Sequence, residues 1–239
     1  IIGAQYQRSP GGIISLAQRP ILTPEDLVGC RFLGQDGVET IVDAVLTVAG
    51  LPVDYDYFPA GYSVAALVEG QGDAYSGFAV NQPITLQTEY GMEEGKDFFF
   101  VSWAELGLGG YANMMFCRRE FLETEFDTVV GFLRGTIKCW LYNAAEPSFA
   151  PELVVNGPGR DLGLEINQQK IQNKIQMEYM QSALTEKKGI FWIDPQDVEQ
   201  NMYPSLRATG RTYLPPAAEI FDTRALQAAY KEITLPLTL

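Results

Sequence analysis

The sequence predicts an α/β protein, and three observations carry that prediction. Strand-like and helix-like segments alternate from Arg31 to Arg118, helix-start signals stand directly after short apolar runs, and 239 residues are enough chain for one large or two small domains. Two lobes fit that length, with the second half of the chain mostly helical.

Taken in order, Ile1 to Gln5 reads as a strand, "QRSPGG" breaks it, and "IISLA" forms another. "TPEDL" is a helix start: Thr23 is the N-cap, Pro24 occupies the first helical position, and Glu25 and Asp26 lie at the positive end of the macrodipole. Gly29 ends it after one turn. "CRFLGQ" is the next strand, and Asp36-Gly37 is expected to cap the helix "VETIVDAVLTVAGL", with Ile41, Val45 and Val48 on one face. "VDYDYFP" alternates as a strand, "SVAALVEGQG" is a short helix stopped by glycine, and Asp73 to Phe78 is a buried strand. "NQPITLQTEYG" is a polar start followed by a helix, and "DFFFVSW" and "ANMMFCR" are two further strands. The second of these runs into one long helix, "REFLETEFDTVVGFLRGTIKCWLYNAAE". A later helix carries Ile171, Ile175 and Tyr179 four apart, another is interrupted near Pro204, and a last short one begins at Asp222 as N-cap. "ITLPLTL" at the end reads as a strand weakened by Pro236.

Composition excludes several function classes. A formal charge of −13 repels phosphate backbones, so nucleic-acid binding is disfavoured. The chain has no histidine, which removes Ser-His and Cys-His nucleophile pairs and imidazole metal sites. Cys30, Cys117 and Cys139 are too widely spaced for a thiolate cluster or a disulfide framework. No apolar run approaches the roughly 20 residues that span a bilayer, and Ile1 to Tyr6 lack the basic start and cleavage site of a signal peptide. The chain opens on an interior-type strand without Met, as a fragment or a processed piece would. No metal and no cofactor are expected.

Candidate binding residues cluster at strand exits, where unpaired N–H groups and helix N-termini make the ligand crevice of open α/β sheets. In "GQDG", Gly34 and Gly37 permit close backbone approach, Gln35 offers a donor and an acceptor, and Asp36 is an acceptor or a simple helix cap. The turn is neither GxGxxG nor a P-loop. In "GDAYSGFAVNQP", Tyr75 and Ser76 bring an aromatic face and a hydroxyl, and Asn81 starts the next helix. In "QYQRSPGG", Tyr6, Gln7 and Ser9 surround a break expected to face the same cleft. Tyr55, Tyr57 and Tyr62 read as packing, and Trp103 as a buried or interface residue with stacking as the alternative. Glu93, Glu94, Asp97 and Glu105 read as a solvated face.

The stretch "QYQRSPGGIISLAQRPILTPEDLVGCRFLGQDG", with "LVEGQGDAYSGF" and "ANMMFCRREFLE", resembles the NMT1/THI5-like substrate-binding proteins of ABC importers. The characteristic piece is "PEDLVGCRFLGQDG", in which Cys30 stands where the family usually has lysine. The resemblance implies a two-lobed type II periplasmic-binding fold, with residues 1–29 a first-lobe segment, 30–118 the second α/β lobe and 119–239 a mostly helical return to the first. The family's N-terminal strands and helices have no counterpart before Ile1, so the first lobe is incomplete. The tail "EITLPLTL" is similar in pattern to the family's first strand, which raises a permuted chain as one expectation and a docked tail as another.

The implied function is a solute-binding component of an ABC importer, periplasmic or extracellular, with a lipid anchor as one mode of attachment and a membrane permease as its partner. Tyr, Ser, Asn and backbone amides without a basic cluster favour a neutral heteroaromatic such as a thiamine pyrimidine or a flavin over a full anion, with Arg8 the exception. Two alternatives stand beside it. One is an enzyme of pyrimidine or thiamine-precursor metabolism using Asp36 or Asp73 as acid and base; the fungal relatives' reliance on a histidine disfavours that chemistry here. The other is a ligand-sensing domain.

Overall fold

The computed structural model describes residues 1–233; the strand expected at "ITLPLTL" lies, beyond Ile233, outside them. In chain order the elements are β1 (Gly3–Tyr6), β2 (Gly11–Leu16), β3 (Arg31–Gly34), α1 (Glu39–Val48), β4 (Asp56–Pro59), α2 (Ala65–Val68), β5 (Ala74–Phe78), α3 (Gln82–Thr88), β6 (Phe98–Ser102) and β7 (Ala112–Met115). Helices follow: α4 (Arg119–Thr124), α5 (Phe126–Ala145), α6 (Phe149–Asn156), α7 (Ile166–Tyr179), α8 (Ala183–Lys188), α9 (Pro195–Asp197), α10 (Tyr203–Ala208), α11 (Ala217–Ile220) and α12 (Arg224–Tyr230). A π-helical turn, Val198–Met202, joins α9 to α10 and is the interruption expected near Pro204.

The chain forms two compact units. One, the sheet unit, comprises residues 9–110 and 201–213; the other, the helical unit, comprises residues 1–8, 111–200 and 214 onward. The sheet unit holds five strands in the order β4-β3-β5-β2-β6. β3 runs parallel to β4 and β5, while β2 is antiparallel to both β5 and β6. Here the structure departs from the expected 1–29 segment: β2, with five of its six residues buried, is a central strand of this sheet and divides from β1 at Arg8–Ser9. Its run "GGIISL" is buried on both faces, as a strand covered on both sides requires, and its one polar side chain, Ser15, is satisfied by accepting from the Ile21 N–H at 2.9 Å.

Successive residues point to opposite faces, and the core records it. Ile13, Phe32 and Ala74 pack on one face with Val42, Val45, Leu46 and Trp103; Ile14, Leu33 and Tyr75 pack on the other with Val64, Leu67, Leu86 and Phe98. Gly12 is required by close packing, since a Cβ there would sit 2.3 Å from the Val101 carbonyl oxygen. β4 is one of the two edge strands, mostly exposed and ending in Pro59, whose missing N–H an edge tolerates. Tyr57 on β4 stacks on Phe32 at 6.4 Å and Tyr55 meets it edge-on at 6.2 Å, so these two tyrosines are packing residues as expected.

Several local expectations shift. "TPEDL" forms a 3-10 turn in which Asp26 accepts from the Thr23 backbone N–H at 2.9 Å. α1 is not capped by Asp36: Val38 occupies the N-cap without a side-chain bond, and Gly37 instead supplies a φ of +88°. Its buried face is Val42, Ala44, Val45 and Leu46, whereas Val48 is exposed. The expected long helix after Arg118 is broken at Glu125, which leaves helical geometry to cap α5.

The helical unit has a two-stranded antiparallel sheet, β1 with β7, set beside α5 and α12. Its core joins Ile2 and Tyr6 to Leu133, Ile137, Phe191 and Leu226. α7 buries Gln168, Asn173 and Met177 rather than the Ile171, Ile175 and Tyr179 face. A reciprocal amide pair joins α5 to α7. Asn143 donates to Asn173 at 2.8 Å, Asn173 returns a bond at 3.0 Å, and Asn173 also donates to the Pro147 carbonyl at 2.9 Å. α12 is capped at Thr223 rather than Asp222, although Asp222 accepts from the Arg224 N–H at 3.1 Å. No helix among the described residues is long and apolar enough to cross a membrane.

Candidate functional site

β3, β4, β5 and β6 end at one edge of the sheet unit, and β2 begins there, with Gly11 opposite Phe78 and Gly12 opposite Ser102. Ser9, Gln35, Asp36, Gly37, Ser76 and Asn81 therefore belong to this end of the unit. Gln35, directly after β3, is its organising side chain. Its amide nitrogen donates to the Gly61 carbonyl at 3.0 Å and to the Tyr75 hydroxyl oxygen at 3.1 Å. Its amide oxygen accepts from the Ser76 hydroxyl at 2.7 Å, and its backbone carbonyl accepts from the Tyr57 hydroxyl at 2.6 Å. Tyr75 donates to the Gly61 carbonyl at 2.7 Å, so one amide and two phenols tie the loop after β4 to the ends of β3 and β5.

The structure brings Gln35, Tyr75 and Ser76 together and gives each a more specific part than the sequence did. Tyr75 is fully buried, so its ring packs in the core and only its hydroxyl reaches the strand ends. Burial raises its pKa, an effect the Gln35 and Gln82 hydrogen bonds partly offset, and it stays a neutral donor at ordinary pH. Gln82 extends the network: its amide oxygen accepts from the Phe78 N–H at 2.8 Å and its nitrogen donates to the Tyr62 carbonyl at 3.2 Å. Burial, with Glu39 and then Asp36 behind it, pushes Tyr57 up to about 12. Asp36 is exposed, and a Cβ at Gly37 would meet open space. Gly34 admits no ligand: a Cβ there would lie 2.9 Å from the Tyr57 ring. Asn81 starts α3 through its carbonyl, which accepts from Ile84 and Thr85, while its side chain does not cap the helix. Ser9 accepts from the Gly11 N–H at 3.2 Å, and Trp103 is buried against Gly11.

Tyr6 and Gln7 belong to the helical unit, which separates them from Ser9. Burial pushes Tyr6 up to about 12, and its ring meets Tyr179 edge-on at 6.3 Å. The Gln7 amide donates to the Trp192 carbonyl at 3.0 Å and accepts from the Ser182 hydroxyl at 2.8 Å. Two cations lie over the neighbouring rings: the Arg8 guanidinium 4.4 Å from the Tyr179 ring centre and the Lys188 ammonium 4.8 Å from that of Trp192. Trp192 Nε1 is buried with no acceptor among the described residues. Sequence reasoning missed Tyr179, Ser182, Trp192 and Lys188. Only Ser182 had a local signal, a hydroxyl three residues before Thr185 in the capping-box position.

Asp73, one of the two carboxylates named in the enzyme reading, is engaged in ion pairs. Asp73 lies at the opposite ends of the strands, where Arg19 reaches it at 2.6 Å and Arg31 at 2.8 Å beside a cavity of about 220 Å³. Burial works to raise its pKa, but the Arg31 hydrogen bonds and the Arg19 charge outweigh that and hold it below the usual carboxylate value. Among the described residues, no group of three or more acidic or cysteine side chains is arranged to hold a metal.

A family model described as NMT1/THI5 like matches residues 1–150. A comparison with curated proteins finds no match. Among solved structures, the periplasmic sulfonate-binding protein of Methylobacillus flagellatus KT aligns with a TM-score of 0.56 at 12% identity, over 97% of this chain and 68% of its own. The alkanesulfonate-binding protein of Xanthomonas axonopodis pv. citri, bound to MOPS, aligns with a TM-score of 0.52 at 15% identity, over 92% of this chain and 71% of its own. The Escherichia coli aliphatic sulphonate binding protein gives a TM-score of 0.52 at 14% identity, over 86% and 65%. At these identities the likeness is one of fold, a periplasmic-binding-protein architecture, and the chain spans 65–71% of the length of these three neighbours.

Proposed function

Because the chain belongs to the NMT1/THI5-like family, we propose that it is the solute-binding component of an ABC importer, working in the periplasm or outside the cell and delivering its solute to a membrane permease. The observation that carries this reading is the polar network at the strand ends of the sheet unit. Gln35, Ser76 and Gln82 are amide and hydroxyl groups anchored by neighbours rather than poised for proton transfer, which suits binding without reaction. The expected solute is a small heteroaromatic of thiamine-pyrimidine or flavin type. The candidate contacts are Gln35, Asp36, Gly37, Ser76, Asn81 and Ser9 on the sheet unit, and Tyr6 and Gln7 on the helical unit. Tyr75 would act through Gln35, which it helps to position.

A specific observation favours a second reading, an organic anion. Arg8 and Lys188 bring two positive charges to the Gln7 end of the helical unit, and their positions over Tyr179 and Trp192 cover ring faces that a planar solute would otherwise stack on. Sulfonates are the solutes named for all three of the structural neighbours described above.

Thermal unfolding of the chain with thiamine pyrimidine, riboflavin, taurine and MOPS separates these readings, since a specific solute at about a hundred times its Kd adds about 2.7 kcal/mol. A heteroaromatic that raises Tm supports the first, and a sulfonate alone the second. Turnover of any of these compounds sinks the binder reading in favour of an enzyme.

A further inference from the structure

Seven asparagines stand in the chain, and one of them, Asn156, is followed by glycine. It is the last residue of α6 and is exposed, while Gly157, at φ −114° and ψ −111°, has left the helix. Among the described residues neither the Asn156 side-chain amide nor the Gly157 N–H makes a hydrogen bond, although the Gly157 carbonyl accepts from Arg160 at 3.1 Å. Glycine is also what this position demands, since a Cβ there would lie 2.5 Å from the Leu153 carbonyl oxygen. The other asparagines are guarded in two ways. Asn143 and Asn173 are buried and bonded to each other, and Asn81, Asn113, Asn167 and Asn201 precede glutamine or methionine, whose Cβ crowds the following backbone nitrogen.

We propose that Asn156 is a site of spontaneous covalent modification, converting to aspartate and isoaspartate through a cyclic imide closed by Gly157. The Gly157 nitrogen gives its proton to solvent base and attacks Asn156 Cγ. An N–Cγ bond forms, the Cγ–Nδ2 bond breaks, and the amide nitrogen takes a proton from water and leaves as ammonia. Water then opens the five-membered ring. Cleavage at the side-chain carbonyl gives aspartate, and cleavage at the main-chain carbonyl gives isoaspartate, whose backbone is one methylene longer. The net change is amide plus water to acid plus ammonia, with nothing oxidised or reduced. Helix ends fray, and with no bond holding the Gly157 N–H the ring closes by rotation at Asn156 alone.

Either product puts a carboxylate at the negative end of α6, whose last turn holds no basic residue. Isoaspartate also displaces the turn in which the Gly159 N–H donates to the Val154 carbonyl at 2.7 Å. α6 is tied to α7 further back, through Lys170 and Glu152 at 3.1 Å, so the loosening should stay at the end of the helix.

Peptide mapping by mass spectrometry on the whole folded chain, aged in mildly alkaline buffer, tests this. Residue 156 should convert at least about tenfold faster than any other asparagine, and about tenfold faster for each pH unit, as loss of one proton before attack requires. Both acids should form, with isoaspartate identified by enzymatic methylation. Asn156→Gln should abolish the conversion at this position and keep the wild-type circular dichroism. Amide exchange around Gly159 should be faster in the aged chain than in that variant aged alongside it. An Asn156 that persists while other asparagines convert overturns the proposal, as does conversion confined to the urea-denatured chain. Aspartate formed without isoaspartate, or a rate indifferent to pH, overturns the imide route and the proposal with it.

Discussion

The sheet unit buries both faces of one sheet, while the helical unit buries helices against helices around a two-stranded ribbon. In the first, alternate residues of one strand feed two separate apolar clusters, and side-chain polarity is kept to the strand ends. In the second, an apolar cluster around α5 and α12 coexists with a polar seam, where Asn143 and Asn173 satisfy each other. The difference is one of tolerance. An apolar strand core loses stability with volume removed, whereas a buried amide pair loses it only when one partner is left alone.

Substitutions can break or sharpen that contrast. Phe32→Ala, at a fully buried position stacked on Tyr57, should cost about 3–5 kcal/mol in urea unfolding. Hydrogen exchange in α5 and α12 should stay at wild-type levels, and loss of protection there would show that the two units do not unfold separately. Asn173→Ala should cost about 1–3 kcal/mol, since it strands the Asn143 amide and the Pro147 carbonyl. Replacing both asparagines with leucine should recover most of that loss; a double variant as unstable as the single one would mean that the seam is not a paired polar contact.

Gln35→Ala is expected to cost about 1–2 kcal/mol, removing partners from Gly61, Tyr75 and Ser76. Amide exchange around Gly61 should quicken while β2 is unaffected, and an unchanged loop would disprove its anchoring role. The smallest effect is electrostatic. Asp73 has its folded pKa held below the ordinary 3.8, so its contribution is complete at neutral pH and disappears as pH falls below about 4 toward the folded value. Arg19 and Arg31 are 45% and 46% exposed, so screening limits the gain to about 0.5–1 kcal/mol. Asp73→Asn should lower stability at pH 7 by that amount and flatten the acid limb of the profile.

Strands with strict or continuous apolar patterning were legible in the sequence: β3, β5 and β6 lie where their residues indicate. The placement of β2 was not, because "GGIISL" states that it is buried but not between which neighbours, and its partners β5 and β6 are distant in sequence. α7 misled for a different reason. Its isoleucines suggested a buried face, but Ile171 and Ile175 are half-buried and the buried positions are Gln168, Met177 and Asn173, the last paired with Asn143. At the candidate site, Gln35 was legible as a strand-exit residue, whereas the Gln7–Ser182–Trp192 set was not, since chain segments far apart converge there. Tyr75 was read as an open ring because a tyrosine at a strand's end looks the same in sequence whether its face or only its hydroxyl is free.

The central position of β2 sets an order on biosynthesis. It is the first strand of its sheet to leave the ribosome, yet neither strand that flanks it exists until Phe78 and then Ser102 have been translated. A segment buried almost throughout in the finished sheet must therefore wait with its amides unpaired, so nascent chains arrested before β6 are expected to bind chaperones more readily than the finished protein does.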